Sequence, residues 1–489
     1  MEAGAESQLT ETQRLGKRAV GERTVLALAL PLAAGLALRA WMLHCLFLVD
    51  GDSLIYGGLA RNLLLHGQYG LTVDSGEIYS TLIRLPGYPI FLAVCFRLFG
   101  MENYFAVACV QIVLDLLGCL LLADFVRRMV SGPASRIAAL AALWLGALCP
   151  FTASYIAEPL TEAPTFFVLA LALWAMARFR HEPNWVNALC FTLAVSYATL
   201  LRPDGALAAI TFAPALVIGL ARGDRRGEIP LRRLARMTVV CTLLALAPFA
   251  VWTARNWSVF HVFEPLAPRL ANDPGESPNP GWERWVKSWC LDFKSTYEIY
   301  WNVPGDKLDV DELPSRAFDS PAQYGETAAL AAYYNNSGMD LTPELDARFG
   351  RIADERIAAD PLRYYVWLPL GRVADMWLRP RVENLPVDLD WWVYSHHHAQ
   401  TEFSWAYAGL NVIYLLLGVA GLCLRPRFWI ALLVYVVLRS ALLLTVEAPE
   451  TRYTLECFPM LIALGAVALG SLAQRLHLAS KLKAPLGNA

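Results

Sequence analysis

The sequence contains little charge and no cysteine pair of the CxxC type. Asp, Glu, Lys and Arg make up 17% of its 489 residues, whereas about a quarter of the residues in a soluble protein are charged. The formal net charge of −2 is too small to indicate nucleic-acid binding. The ten cysteines are scattered, mostly within apolar segments, which favours buried small hydrophobic residues over disulfides or a metal site. The chain also lacks a Gly-rich phosphate loop.

Long apolar runs dominate the sequence instead. Hydrophobic residues make up 56% of the chain, and several runs approach the roughly 20 apolar residues that cross a bilayer. These runs predict an all-α polytopic membrane protein with about ten transmembrane helices. The predicted spans are residues 24–48, 104–126, 134–152, 160–178, 186–201, 206–221, 237–254, 403–424, 428–446 and 455–474.

Positive charges between the spans indicate the orientation of the chain. Arginines and lysines recur in the amino-terminal tail, in alternating loops and after the last span, and such residues favour the cytoplasmic side. We therefore expect both termini in the cytoplasm. The predicted organisation is a tail (1–23), a transmembrane module (24–254) with a first outer loop (49–103), an extracytoplasmic segment (255–402), the last three transmembrane helices (403–474) and a second tail (475–489).

Two further apolar segments are unsuited to crossing the bilayer. Residues 87–100 are short and contain Arg97, and residues 361–377 are interrupted by Arg363, Arg372 and Asp375. We predict that both form interfacial helices on the outer surface.

Two acids follow the first span directly. Asp50 and Asp52 lie at its outer edge. The apolar residues that recur after them at helical spacing are Ile55, Leu59, Leu63 and Leu64. This pattern predicts an interfacial helix that holds the acids beside the bilayer surface, where a carboxylate can act on a lipid-borne substrate. The alternative is a solvated loop.

Three arginines lie at the same predicted height. Arg84 precedes the turn Pro86-Gly87-Tyr88-Pro89, and Arg202 begins a turn between two spans. Arg452 precedes Tyr453 at the outer edge of the last two spans. A guanidinium at headgroup level can bind a phosphate through two hydrogen bonds. For Arg84 and Arg452 the alternative is interfacial anchoring.

A second acidic pair lies between two spans. Glu158 and Glu162 are four residues apart at the end of one span and the start of the next. Carboxylates at this depth are costly unless they are paired or functional. They therefore contact a substrate, or they pair structurally with Arg202 or Arg39.

The order of these motifs resembles a known family. The motifs are D-x-x-x-Y-x-x-x-A-R-N-L-L after the first span, R-x-P-G-Y-P, the acidic loop at Glu158, and E-x-R-Y before the last span. This order resembles the integral-membrane GT-C glycosyltransferases. It is most similar to bacterial members of the dolichyl-phosphate-mannose protein mannosyltransferase superfamily (glycosyltransferase family 39), which includes the aminoarabinose transferases of lipid A. The resemblance covers roughly the first two hundred and the last sixty residues.

The resemblance implies roles for individual residues. Asp52, four residues before Tyr56, would be the catalytic acid, and Asp50 is a candidate for a second carboxylate. Arg84 and the pair Arg452–Tyr453 would contact the donor phosphate. Further residues expected at the donor phosphate are Arg61 and Arg202, and those expected to contact substrates are Tyr56, Tyr88, Glu158, Glu162 and Glu450.

The predicted function is inverting transfer of a sugar from a polyprenyl phosphate to a protein, lipid or glycan on the extracytoplasmic face of a bacterial inner membrane. Such transfer needs a base for the acceptor and positive charge for the leaving phosphate. We expect no cofactor, and the sequence does not support a divalent metal. One alternative is a polysaccharide polymerase or ligase. The other is a transporter or flippase, for which the candidate ionisable residues within spans are Arg39, Asp115, Asp124 and Arg439.

Overall fold

The computed structural model describes residues 25–73, 75–222, 230–395 and 397–483. Most of the two predicted tails, residues 1–23 and 475–489, lies outside the described residues, apart from the end of the last helix. The amino-terminal half contains α1 (Val25–Leu46), α2 (Asp52–His66), α3 (Gly87–Phe99), α4 (Tyr104–Met129), α5 (Ala134–Ala147), α6 (Pro150–Ser154), α7 (Glu162–His181), α8 (Trp185–Leu201), α9 (Ala206–Arg222) and α10 (Leu231–Phe260).

The second half of the chain contains eight further helices among the described residues. They are α11 (Pro280–Lys287), α12 (Phe293–Ser295), α13 (Pro321–Asn336), α14 (Pro343–Ala359), α15 (Leu368–Leu378), α16 (His398–Cys423), α17 (Trp429–Leu443) and α18 (Phe458–Lys483). A 3₁₀ segment, Thr451–Cys457, leads into α18, and a π-helical turn, Arg363–Trp367, leads into α15.

Every predicted span coincides with a helix. Among the described residues, six helices are long and apolar enough to cross a membrane: α1, α4, α7, α10, α16 and the continuous segment Thr451–Leu476. The helices α3, α5, α8 and α17 and the segment Pro203–Val217 are apolar but shorter. The predicted span 134–152 is divided, because α5 ends at Ala147 and α6 begins at Pro150. The prediction of an all-α polytopic membrane protein is confirmed.

The last helix lies at the centre of the bundle. α18 packs against α5 and α16, while α4 packs against α5 and α7. The crossing of α16 and α18 depends on Gly421, because a Cβ at this position would lie 1.8 Å from the carbonyl oxygen of Leu464. A residue without a side chain therefore allows the two backbones to approach closely.

The segment 49–103, predicted as the first outer loop, contains two helices and a small hairpin. The predicted interfacial helix is present as α2, which begins at Asp52 directly after Gly51 (φ 48°). Two strands that the sequence analysis did not predict follow it, β1 (Gly70–Thr72) and β2 (Ile78–Ser80), paired antiparallel with Leu71 opposite Tyr79. The second predicted interfacial helix is α3, and the third is the π-helical turn with α15.

The segment 255–402, which the sequence predicts to be extracytoplasmic, is more helical than expected. α10 continues to Phe260, six residues beyond the predicted end of its span. The helices α11, α13 and α14 then enclose a separate apolar core, which includes Trp282, Trp285, Trp289 and Phe349. Arg372 of α15 is fully buried against this unit, and its Nη1 donates to the carbonyls of Lys287 (3.0 Å) and Cys290 (2.9 Å).

Candidate active site

Two arginines from distant parts of the chain converge on Asp52. Asp52 is the first residue of α2, Arg84 lies in the loop before α3, and Arg452 lies in the 3₁₀ segment before α18. Arg84 Nη2 donates to Asp52 Oδ1 at 2.7 Å, and Arg452 Nη2 donates to Oδ2 at 3.3 Å. One carboxylate thus bridges two guanidinium groups, with one oxygen on each.

The electrostatics of Asp52 follow from this bridge. Burial by itself would raise the pKa of the Asp52 carboxyl, but Arg84 and Arg452 outweigh burial and hold that pKa below its ordinary value. Asp52 is therefore ionised at neutral pH, and its basicity is low as long as both arginines remain on it.

The motif E-x-R-Y forms a local cluster beside this bridge. Glu450 accepts hydrogen bonds from Arg452 Nε and from the Tyr453 hydroxyl. The guanidinium carbon of Arg452 lies 5.9 Å from the centroid of the Tyr453 ring. Glu450 is 5% exposed, so its carboxylate is a fixed, buried partner of the arginine. The structure thus brings all three predicted residues of this motif to the site.

Arg202 belongs to a network directly behind the bridge. Its Nη1 donates to Glu162 at 3.2 Å, its Nε lies 2.8 Å from Glu456 Oε1, and its guanidinium carbon lies 5.6 Å from the Tyr453 ring centroid. Glu456 also lies 3.4 Å from Arg439. The sequence analysis did not assign Glu456 to the site, although it follows Arg452 by four residues, a spacing that indicates one face of a helical turn.

Arg439 also belongs to this network. It forms an ion pair with Asp204, which follows Arg202 by two residues. The transporter alternative treats Arg439 as an isolated charge within a span, but its guanidinium instead connects α17 to the turn after α8. The side chain of Arg439 is 1% exposed, and its charge is paired with Asp204 and Glu456 inside the fold.

Glu158 lies close to the bridge without an arginine of its own. Its Oε2 accepts from Asn384 Nδ2 at 3.4 Å. Burial raises the pKa of Glu158 to about 7, and the nearby charge of Glu162 adds to this shift. Neither structural partner considered for Glu158 bonds to it, because Arg202 contacts Glu162 and Arg39 contacts Asp115.

The segment between α15 and α16 supplies residues that the sequence analysis missed. Besides Asn384, this segment contributes Glu383, which accepts a hydrogen bond from Thr451 next to Arg452. Burial raises the pKa of Glu383. The only available signal was the alternation of charge in Arg379-Pro-Arg381-Val-Glu383 beside an apolar helix.

The two tyrosines of the family motifs have different positions. Tyr56 lies beside Arg84, whose guanidinium carbon is 6.0 Å from the Tyr56 ring centroid. Tyr88 packs edge-on against Tyr56 with ring centroids 5.1 Å apart, but it is fully buried and its hydroxyl bonds to Gln111 Oε1 at 2.7 Å. Tyr88 therefore supports Tyr56 from within the core, and its hydroxyl is engaged by Gln111.

Two other predicted residues lie away from the bridge. Asp50 is exposed, and its Oδ1 accepts from the backbone N–H of Gly51 at 2.7 Å. Arg61 lies nine residues further along α2 than Asp52, about 13.5 Å along the axis, and pairs with Glu102 at 3.3 Å. The structure places neither residue beside Arg84 and Arg452.

Within the part of the chain that the structure describes, no group of three or more His, Cys, Asp or Glu residues could hold a metal ion. The bridge itself has two arginines around one carboxylate, which is a donor set for an anion.

A comparison with family models matches a region that contains part of this site. Residues 84–253 match the family described as dolichyl-phosphate-mannose-protein mannosyltransferase. The predicted family resemblance is confirmed over these residues. The matched mannosyltransferase region is about a third of the chain and includes Arg84, Glu158, Glu162 and Arg202. With the all-α fold, this match supports the predicted GT-C class. No curated protein matches the chain.

Several solved structures are distantly similar. An archaeal oligosaccharyltransferase, AglB from Archaeoglobus fulgidus in complex with an inhibitory peptide and a dolichol-phosphate, is 13% identical with a TM-score of 0.47, and the match covers 95% of this chain and 52% of that chain. ArnT from Cupriavidus metallidurans bound to undecaprenyl phosphate is 15% identical with a TM-score of 0.38, and the match covers 94% and 79%. The chain spans about half the length of the archaeal oligosaccharyltransferase.

Proposed function

We propose that this protein is a glycosyltransferase that moves a sugar from a polyprenyl phosphate to an acceptor on the extracytoplasmic face of the membrane. The observation that carries the proposal is the convergence of Arg84 and Arg452 on one partly exposed carboxylate. The family match over residues 84–253 supports it independently.

Arg84 and Arg452 are the proposed donor-phosphate residues. When the glycosidic bond breaks, negative charge accumulates on the leaving lipid phosphate. Two guanidinium groups that already hold one bridging carboxylate are spaced to hold two oxygens of a phosphate in the same way. Tyr56 and Tyr453 lie beside these arginines and would flank the phosphate or the sugar next to it.

Asp52 is the proposed general base. In an inverting transfer, one base removes the proton from the acceptor hydroxyl or amine as it attacks the anomeric carbon. The two arginines keep the pKa of Asp52 low, so Asp52 becomes a stronger base once a phosphate has taken its place on them. Glu158, which is partly buried nearby, is a better candidate for a second carboxylate than the exposed Asp50.

The orientation and the acceptor are part of the same proposal. The excess of positive charge in alternating loops favours cytoplasmic termini, with the Asp52 site on the exterior of a bacterial inner membrane. The acceptor is a protein, lipid or glycan that reaches the site from the outer face.

The experiment uses the purified full-length protein and radiolabelled polyprenyl-phosphate sugars, with the cell-envelope fraction as the source of acceptor. We expect Asp52→Asn to lower sugar transfer by about 10²–10⁴-fold, and Arg84→Ala to weaken binding of undecaprenyl phosphate in detergent. Arg363→Ala is the matched control. Arg363 and Asp319 form a 2.8 Å ion pair, and each side chain is 29% exposed. This exposure is similar to that of Arg84 and Asp52, but the pair lies in the segment 255–402 and not in the bridge. Full transfer by Asp52→Asn would refute the proposed base, and unchanged phosphate binding by Arg84→Ala would refute the phosphate assignment.

A further inference from the structure

The hairpin β1–β2 lies between Asp52 and Arg84, two of the three residues of the Asp52 bridge. It follows α2, which begins with Asp52, and it precedes the loop that carries Arg84. The Tyr69 hydroxyl, at the start of the hairpin, donates to the Arg84 carbonyl at 3.0 Å. The position of the Arg84 backbone therefore depends on how firmly the ends of this hairpin are held.

Arg255, near the end of α10, holds both ends of the hairpin. Its Nη2 donates to the carbonyl of Tyr69 at 2.7 Å, and its Nη1 donates to the carbonyl of Thr81 at 2.8 Å. A planar guanidinium can bridge two carbonyls in this way, whereas an ammonium group cannot reproduce the fixed fork.

Aromatic rings fix the Arg255 side chain in this position. Its guanidinium carbon lies 5.4 Å from the ring centroid of Tyr69 and 5.2 Å from those of Trp252 and Phe260. Tyr69 and Trp252 also pack edge-on with ring centroids 5.1 Å apart. Three rings around one cation are more than an interfacial arginine needs for anchoring, and they limit the rotamers available to Arg255.

A second contact ties the same loop to the segment after α10. The carboxylate of Asp273, which is 7% exposed, accepts from the backbone N–H of Leu82 at 2.8 Å. Leu82 is two residues before Arg84. The region around the end of α10 thus holds the Arg84 loop at Tyr69, Thr81 and Leu82, and none of these contacts involves Asp52 or Arg452.

We propose that Arg255 is a positioning residue for donor-phosphate binding. It acts through the hairpin, by keeping Arg84 in the place where it can contact the phosphate before the donor arrives. This inference rests on the proposed function for the role of Arg84, but the clamp itself is a property of the ligand-free protein. A loop that is ordered in advance binds more tightly, because binding then does not have to order it.

The test combines two measurements on the full-length protein in detergent. The first is amide hydrogen exchange in peptides that cover residues 68–85, and the second is the Kd for undecaprenyl phosphate. We expect Arg255→Ala to speed exchange in these peptides several-fold and to raise the Kd about tenfold. Arg255→Lys, which keeps the charge but loses the fork, is expected to fall between the wild type and Arg255→Ala.

The control is Arg316→Ala. Arg316 also donates to a backbone carbonyl (Trp289, 3.1 Å) but belongs to the separate core of the extracytoplasmic segment, so the Kd should not change. Unchanged exchange at 68–85 in Arg255→Ala would overturn the clamp. Faster exchange with an unchanged Kd would overturn the positioning role, if Arg84→Ala still weakens binding. An unchanged Kd in Arg84→Ala would instead overturn the phosphate assignment of the proposed function.

Discussion

Arg39 and Arg84 are both paired with an aspartate, but in opposite surroundings. The pair Arg39–Asp115 joins α1 to α4 inside the bundle, and both side chains are 0% exposed. In the Asp52 bridge at the end of the bundle, Arg84 is 23% exposed, Asp52 is 26% exposed and Arg452 is 19% exposed.

The partners of the two arginines differ as well. Arg39 donates to Asp115 and to the backbone carbonyls of Gly35 (3.1 Å), Gly146 (3.2 Å) and Ala147 (2.6 Å), so all three of its nitrogens are engaged. Such a cation has no remaining donor for a transported ion or a phosphate. Arg84 bonds mainly to the Asp52 carboxylate, which we propose a phosphate replaces. The inner pair therefore has a structural role, which weakens the transporter alternative that relied on it.

The largest effect that follows from this comparison concerns stability. We expect Arg39→Met to lower the free energy of unfolding by about 3–5 kcal/mol, because it leaves Asp115 as an uncompensated buried charge. The double variant Arg39→Met/Asp115→Leu should recover much of this loss. Thermal unfolding in detergent measures both variants. An Arg39→Met protein of wild-type stability with a changed Kd for undecaprenyl phosphate would reverse the roles assigned to the two pairs.

The sequence analysis succeeded where one physical rule acts alone. Each predicted span is helical, although 134–152 is divided between two helices, because a long apolar run satisfies its backbone internally in a membrane. The sequence also indicated Asp52, Arg84, Arg452 and Tyr453, because each lies in a segment predicted to face the outer side of the membrane. Residues at the same end of a bundle meet even when hundreds of positions separate them in the chain.

The remaining contacts depend on distances that a sequence does not contain. Arg61 and Arg84 are both arginines in the first outer loop, yet only the rotation and length of α2 send Arg61 toward Glu102. Tyr88 belongs to a turn motif, but the packing of α3 against α2 buries it. Glu383 and Asn384 reach the site because the segment before α16 folds back toward Thr451 and Glu158. No local sequence pattern predicts these long-range contacts.

A second prediction contrasts Glu158 with Asp115, since only Asp115 has an arginine partner. Burial raises the pKa of Glu158 from 4.5 to about 7, so the folded state binds its proton more tightly than the unfolded chain does. The stability associated with this proton is complete below about pH 4.5 and is lost as the pH rises to about 7. Above that pH, Glu158→Gln should be more stable than the wild type by about 1–3 kcal/mol, after allowance for partial exposure.

Thermal unfolding between pH 4.5 and pH 8 measures this difference. The control is Glu344→Gln, because Glu344 is an exposed carboxylate on α14, and it should leave the pH dependence unchanged. If Glu158→Gln followed the wild-type curve across the whole range, then Glu158 would ionise as freely in the folded protein as in the unfolded chain.

The smallest effect is the sharpest test of the comparison. If a phosphate takes the place of Asp52 on Arg84 and Arg452, then Asp52 competes with the donor for the same two guanidinium groups. We expect Asp52→Asn to lower the Kd for undecaprenyl phosphate about tenfold, which is about 1.4 kcal/mol, because a neutral amide competes less well than a carboxylate. The same variant should be nearly inactive in sugar transfer.

Asp115→Asn is the matched control for this measurement. It removes the same charge from the inner pair, whose arginine stays bonded to three backbone carbonyls, so the Kd should not change. A Kd that rises or stays constant in Asp52→Asn would mean that the phosphate binds beside Asp52 and not in its place. The carboxylate would then be a permanent partner of both arginines, as Asp115 is of Arg39, and the difference between the two pairs would be one of exposure alone.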